Sequence, residues 1–308
     1  MSLMLLFPGQ GAQAVGMGRE LAEGLDECRA LFSRASDVLG FDLLKTCLEG
    51  PLEALTKSDV AQPAIFTVSV AARTALAHFA GDRFQMAGAA GHSLGEWAAL
   101  HEAGVVSFED ALRVLRVRGK FMQEACEATP GGMLTIIGLP LDQVQEVAQA
   151  SGLEVANLNS PVQTVLSGHA DRIAAGEAAA KAAGAKRALR LTVAGAFHSS
   201  LMQPAADRLA DFLQGVEFRA PHCPVWSNAT GKPHGTPDDI RRAMVAQVVS
   251  SVRWTDGVAD MVAAGMTAGC ECGPGTVLAG LIKRIAPEVP VAGIFDLAGA
   301  QEAAKLFS

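Results

Sequence analysis

Gly91-His92-Ser93-Leu94-Gly95 sets a serine between two glycines where a small, apolar run gives way to a helical pattern. Met86 to Ala90 reads as the end of a buried strand, and Glu96 to Ala103, with Trp97 and Leu100, as the helix that follows. In that setting a Gly-x-Ser-x-Gly pentapeptide demands a sharp strand-to-helix turn. Its strained backbone admits only very small neighbours and pushes the serine hydroxyl out at the helix N-terminus. The turn points to an α/β architecture and makes Ser93 a candidate nucleophile. A serine between glycines also occurs in ordinary turns; the strand before it and the helix after it favour the catalytic reading.

The rest of the chain sorts around this turn. Leu3 to Phe7 is a short apolar strand, followed by the loop Pro8-Gly9-Gln10-Gly11-Ala12-Gln13. A helix is expected over Arg19 to Leu39, with Gly40 ending it, and a second, nearly uncharged and buried, over Ala61 to Phe79. A third runs from Ser107 to Ala125, with Ser107 as its cap and Asp110 three residues on. From Met133 the order is strand (Met133 to Leu139), helix (Asp142 to Gln149), strands (Glu154 to Leu158 and Gln163 to Ser167), helix (Ala170 to Ala183) and strand (Lys186 to Thr192). That β-α-β-β-α-β order is the split pattern of a ferredoxin-like unit. An inserted subdomain over 126–195 is therefore expected inside a large α/β domain made of 1–125 and 196–308.

Composition excludes several classes. The chain has 308 residues, half of them hydrophobic, so a large core is available. Its net charge of -7, with no local basic patch, argues against a nucleic-acid partner. Residues 1–18 hold no lysine or arginine, and the apolar run Leu3 to Phe7 is too short for a signal or membrane segment, so a soluble, cytoplasmic protein is expected. Six scattered cysteines, with only Cys270 and Cys272 close together, match neither a zinc ribbon nor a disulfide framework and read as reduced thiols. No His-x-x-x-His pair supports a catalytic metal, and tyrosine is absent, which leaves proton transfer to histidine or a carboxylate.

A serine is a poor nucleophile at neutral pH and needs a base within reach. His198, in Gly195-Ala196-Phe197-His198-Ser199, follows the last subdomain strand where the chain crosses back to the large domain, and is the best candidate. His92 adjoins the serine but should point away, and His78, His101, His169, His222 and His234 have no comparable context. An α/β-hydrolase would place its histidine near the C-terminus, yet none follows His234. A patatin-like serine–aspartate pair would need Asp256-Gly257, and Asp256 reads instead as a helix cap. The tetrahedral oxyanion of acyl transfer needs donors: the N–H of Leu94 is one, and the loop at Gln10 can supply the second. That loop fits neither a dinucleotide fingerprint nor a P-loop. Arg118, followed by Gly119, sits on a different helix face from Arg113; turned toward the serine, its planar fork would bind a carboxylate at the far end of an acyl group.

With these residues in place, the chain resembles the malonyl-coenzyme A:acyl carrier protein transacylases of fatty-acid synthesis and the acyltransferase domains of polyketide synthases. The motifs are Phe7 to Gln13, Gly91 to Leu100, Arg118 to Gln123, Gly195 to Met202 and Glu271 to Gly275, in order along nearly the whole chain. The resemblance implies a hydrolase-like large domain with a parallel sheet core and a ferredoxin-like insert. It implies that Ser93 is acylated, that His198 is its base and then the acid, that Arg118 holds the malonyl carboxylate, and that the backbone of Gln10 and Leu94 forms the oxyanion hole. Gln247 matches the family glutamine whose main-chain carbonyl orients the histidine. Phe197 looks like the malonyl-selective form that excludes a methyl branch. Ser251 departs from the family, which often has proline there.

The expected reaction is ping-pong transfer of malonyl from malonyl-CoA to the phosphopantetheine thiol of acyl carrier protein, by a monomer needing no cofactor or metal. A free-standing acyltransferase serving a polyketide synthase and a serine thioesterase are the alternatives. Lys186, Arg187, Arg190, Lys283 and Arg284 are candidates for a basic rim facing the acidic carrier, or are simply solvated charges.

Overall fold

The computed structural model describes residues 2–307. Five strands, β1 (Leu3–Phe7), β2 (Gly88–Gly91), β7 (Val225–Trp226), β8 (Ala268–Cys272) and β9 (Val291–Ile294), form a parallel sheet in the order β7-β2-β1-β8-β9. Four others, β3 (Gly131–Ile137), β4 (Glu154–Ser160), β5 (Gln163–His169) and β6 (Arg187–Arg190), form an antiparallel sheet in the order β4-β5-β3-β6. With helices Leu141–Ser151 and Ile173–Ala182 between its strands, the second sheet has the ferredoxin-like topology expected from the order of elements.

Alternation along β1 explains why every one of its residues is apolar. Leu3, Leu5 and Phe7 face one hydrophobic cluster, while Met4 and Leu6 face another that holds Trp226, Trp254 and Met261. A parallel strand covered on both faces needs such a continuous run. Helix Ser58–Ala80 is long and apolar enough to cross a membrane, but most of it is buried in the first cluster. The small sheet has its own core around Leu134, Ile136, Val144 and Leu166.

The helix expected over Arg19 to Leu39 is broken. Helices Arg19–Gly24 and Asp26–Leu39 flank an extended Leu25. Gly24 is a poor helix residue, and Asp26 and Glu27 suit the positive N-terminal turn of a new helix. Arg29 then reaches back to the carbonyls of Ala22 and Glu23, satisfying the end of the first helix. The last small-sheet strand also ends earlier than expected, at Arg190; after a last bond from Leu191 N–H to the Met133 carbonyl the chain leaves the sheet, and Leu191 to Ala194 line a cleft.

The segment after Gln247 ties the two sheets together. Val252 donates to Ala156, and Leu158 donates back to Val252. Ser251, where the family often has proline, donates its hydroxyl to the carbonyl of Val155 on β4.

Candidate active site

The turn after β2 has the geometry its glycines foretell. Ser93 has φ 53°, in the left-handed region, and among the described residues His198 (φ 58°) is the only other non-glycine with positive φ. Such conformations cost free energy and persist where surrounding contacts impose them. Here the Ser93 N–H donates to Asn228 Oδ1 at 2.6 Å, and Asn228 Nδ2 donates to the Gly91 carbonyl at 2.7 Å. A Cβ on Gly91 would collide with the backbone of Gly95, and one on Gly95 with the carbonyls of Phe7 and Pro8. Helix Gly95–Glu102 follows directly.

The structure brings Ser93, His198, Arg118 and Gln247 together. The Ser93 hydroxyl lies 2.8 Å from His198 Nε2, and His198 Nδ1 lies 2.8 Å from the main-chain carbonyl of Gln247. Burial and then the charge of Arg118 push the imidazole pKa down from 6.5 to about 3, so the resting ring is neutral. Arg118 comes from helix Phe108–Ala128, which presses so close to the carbonyl of Ser58 that only glycine fits at position 119. Its Nη1 donates to Gln62 Oε1 at 2.7 Å, and its Nη2 to Gln247 Oε1 at 3.0 Å and to Ser93 Oγ at 3.3 Å. Burial lowers the guanidinium pKa to about 10, which still leaves it cationic at neutral pH.

These groups open onto a cleft of about 650 Å³ lined by Gln10, Ser93, Arg118, Asn157, Phe197 and His198. Leu52, Leu191 and Val193 stand exposed at its mouth. The amides around Leu94 are engaged: Ser93 N–H by Asn228, Gly95 N–H by the His92 carbonyl and Glu96 N–H by the Ser93 carbonyl. The N–H groups of Leu94 and Gln10 meet no acceptor among the described residues, as oxyanion donors require. Arg118 is 1 % exposed and has no carboxylate within ion-pair distance among the described residues. Its Nε and Asn157 Oδ1 are likewise buried without partners.

Other residues fall elsewhere. His92 turns to Asn159 Oδ1 at 2.9 Å, not to the serine. Asp256 is not the N-cap it was expected to be: Arg253 holds that position, and Asp256, in the first turn, pairs with it at 2.7 Å. Its ion pair with the preceding arginine takes the place of a capping bond. Lys186, Arg187, Arg190, Lys283 and Arg284 are exposed; Arg190 pairs with Glu177, and Arg284 donates to Gln163.

Sequence reasoning missed four polar residues. Gln62 holds Arg118, and Asn228 holds the serine amide. Glu96 is buried and accepts from Asn228 N–H at 3.0 Å, Gln247 Nε2 at 2.7 Å and His234 Nε2 at 2.7 Å. His234, which carried no context in the sequence, is thus buried in the same network. Gln62 shares its nearly uncharged helix with other polar residues such as Thr67 and Ser69, and none of the four carried a local signal that set it apart.

Comparison with known proteins fits this geometry. The family described as "Acyl transferase domain" matches residues 4–298. The malonyl CoA-acyl carrier protein transacylase of Escherichia coli strain K12 is 44 % identical over 284 residues, 91 % of each chain. That of Bacillus subtilis strain 168 is 38 % identical over 304 residues, 96 % of this chain and 93 % of the relative. A type II polyketide synthase acyl-carrier protein has been solved in complex with its malonyl-transacylase. That structure superposes with a TM-score of 0.93 at 40 % identity, covering 99 % of this chain and 100 % of the other.

Proposed function

The chain belongs to the acyl transferase domain family, and from that membership and the geometry of the cleft we propose that it is an acyl-carrier-protein S-malonyltransferase. It moves malonyl from malonyl-CoA to the phosphopantetheine thiol of acyl carrier protein in fatty acid biosynthesis, by a ping-pong mechanism. The observation that carries the substrate class is the buried Arg118 guanidinium. It lies 3.3 Å from the Ser93 hydroxyl, in a cleft wall, with no carboxylate of the protein to pair with among the described residues. A buried cation of this kind favours a ligand that brings its own carboxylate to the far end of the acyl group.

The steps follow from the hydrogen bonds. His198 Nδ1–H donates to Gln247, so Nε2 is free to take the Ser93 proton as Oγ attacks the thioester carbonyl. The N–H groups of Leu94 and Gln10 bind the tetrahedral oxyanion. The imidazolium then protonates the departing CoA thiolate, leaving malonyl on Ser93. The carrier thiol enters, gives its proton to His198 and attacks the ester, and Ser93 leaves and recovers the proton. Pinning the carboxylate on Arg118 and shielding the ester favour thiol over water.

On this reading the large domain (1–125 and 196–308) and the insert (126–195) form the two walls of the cleft, and Phe197 excludes a methyl branch. The enzyme works as a cytoplasmic monomer with no membrane or nucleic-acid partner. It needs no cofactor or metal, since base, oxyanion donors and carboxylate clamp are all protein groups. The same transfer in service of a polyketide synthase is the second reading, supported by the likeness to the carrier complex above.

Incubation with malonyl-CoA and a phosphopantetheinylated carrier tests the proposal. CoA release matched one to one by malonyl-carrier supports it, and free malonate without malonyl-carrier makes the protein a hydrolase instead. Parallel assays with fatty-acid and polyketide carriers separate the two pathways by turnover.

A further inference from the structure

We infer that Glu96 is a positioning residue for substrate selection: its buried carboxylate, anchored by His234, fixes the orientation of the Gln247 side-chain amide and so keeps Arg118 aimed into the cleft. The inference rests on the proposed malonyl transfer and adds two residues to it.

The argument is one of donors and acceptors. Arg118 has only donors to offer, and it donates to Gln247 Oε1 at 3.0 Å. A carboxylate has only acceptors, and Glu96 Oε2 takes the Gln247 NH2 at 2.7 Å, while the Ser93 carbonyl takes the same group at 2.9 Å. The amide of Gln247 therefore has a single satisfied orientation, with oxygen toward Arg118 and nitrogen toward Glu96. Were it reversed, NH2 would face the guanidinium and C=O would face a carboxylate and a carbonyl. At these buried side chains each mismatch leaves a group unpaired.

His234 holds the carboxylate's other oxygen. Its Nε2 lies 2.7 Å from Glu96 Oε1, and both side chains are almost wholly buried, at 2 % and 1 % exposure. The main chain of His234 is held in turn, since its N–H donates to the Val225 carbonyl of β7. The charge of Glu96 also favours the protonated form of Arg118 across the amide. Before malonyl binds, Glu96 is thus the nearby anion that steadies the cation without occupying its carboxylate-binding edge.

Kinetics with malonyl-CoA and acetyl-CoA test this in the full-length enzyme, because only malonyl uses Arg118. Glu96→Gln keeps shape but has one acceptor where Glu96 has two: with its oxygen toward Asn228 and Gln247 it turns NH2 to His234, and with NH2 toward Gln247 it loses the Asn228 bond and lets the Gln247 amide reverse. It is expected to lower kcat/KM for malonyl-CoA by roughly tenfold or more, chiefly through KM, while acetyl-CoA changes far less. His234→Gln, which preserves a donor at the Nε2 position, should keep the malonyl-to-acetyl ratio near that of the parent, and His234→Phe should lower it. The histidine pair decides the matter if Glu96→Gln does not fold. An equal fall for both thioesters, or no fall, overturns the inference and leaves Glu96 as support for the fold alone. If the parent enzyme itself fails to carry malonyl on Ser93, it is the proposed function that fails.

Discussion

The main-chain carbonyl of Gln247 accepts from Nδ1 of His198 at 2.8 Å, and this bond fixes which ring nitrogen can act as base. A carbonyl cannot donate, so Nδ1 carries the hydrogen and Nε2 faces the Ser93 hydroxyl as an acceptor. A neutral carbonyl brings no countercharge to the imidazolium that forms. Burial and Arg118 accordingly hold the resting ring neutral far below the usual range.

The first consequence is a pH profile. A protonated His198 cannot take the serine proton, and the ring gains that proton only as pH falls toward about 3. The acid limb of kcat/KM for malonyl-CoA, which reports the free enzyme, is thus expected below about pH 5 rather than near the ordinary imidazole value. Malonyl binding offsets the Arg118 charge, one cause of the depression, so the limb of kcat should lie at higher pH than that of kcat/KM. A limb of kcat/KM near pH 6.5 would contradict the buried, neutral ring.

The same ring links pH to stability. A group whose folded pKa is depressed leaves the unfolded state binding more protons between the two values. The contribution of His198 is present above about pH 6.5 and is lost progressively as pH falls toward about 3. Urea unfolding of His198→Gln should therefore show a weaker decline over that window than the parent.

Arg118→Ala removes the carboxylate's partner. Malonyl turnover is expected to fall by about 10²-fold or more, as in sites that lose a required charged partner, while acetyl transfer gains relative to it. Steady-state kinetics with both thioesters check this; unchanged malonyl kinetics would remove Arg118 from its role.

Gly95→Ala places a methyl group against the carbonyls of Phe7 and Pro8, which are backbone and cannot swing aside. A stability loss of about 1–3 kcal/mol or more is expected, with loss of acylation as the turn shifts. Thermal unfolding and single-turnover assays read the two effects separately.

Phe197 is buried in the cleft wall one residue before His198. Phe197→Ser opens space there, and turnover of methylmalonyl-CoA relative to malonyl-CoA should rise. A ratio that does not move would take Phe197 out of branch selection.

What was legible in the sequence was local. The all-apolar Leu3–Phe7, the glycines around Ser93 and the β-α-β-β-α-β order each carry their structural reason within a few residues, and each reappears in the fold. The break at Leu25 was not legible, because a helical apolar pattern continues across it. Glu96, Asn228 and His234 were not legible either: the fold joins them through hydrogen bonds between segments more than 130 residues apart. Such a network leaves no spacing to read, only ordinary polar residues that become costly once buried.

The most direct measurement is the intact mass of the protein after brief incubation with malonyl-CoA and no acceptor, followed by peptide mapping. One malonyl increment on the peptide containing Ser93, absent from Ser93→Ala, is the expected result. An increment that persists in Ser93→Ala, or maps to another residue, would contradict a serine acyl-enzyme at the turn after β2.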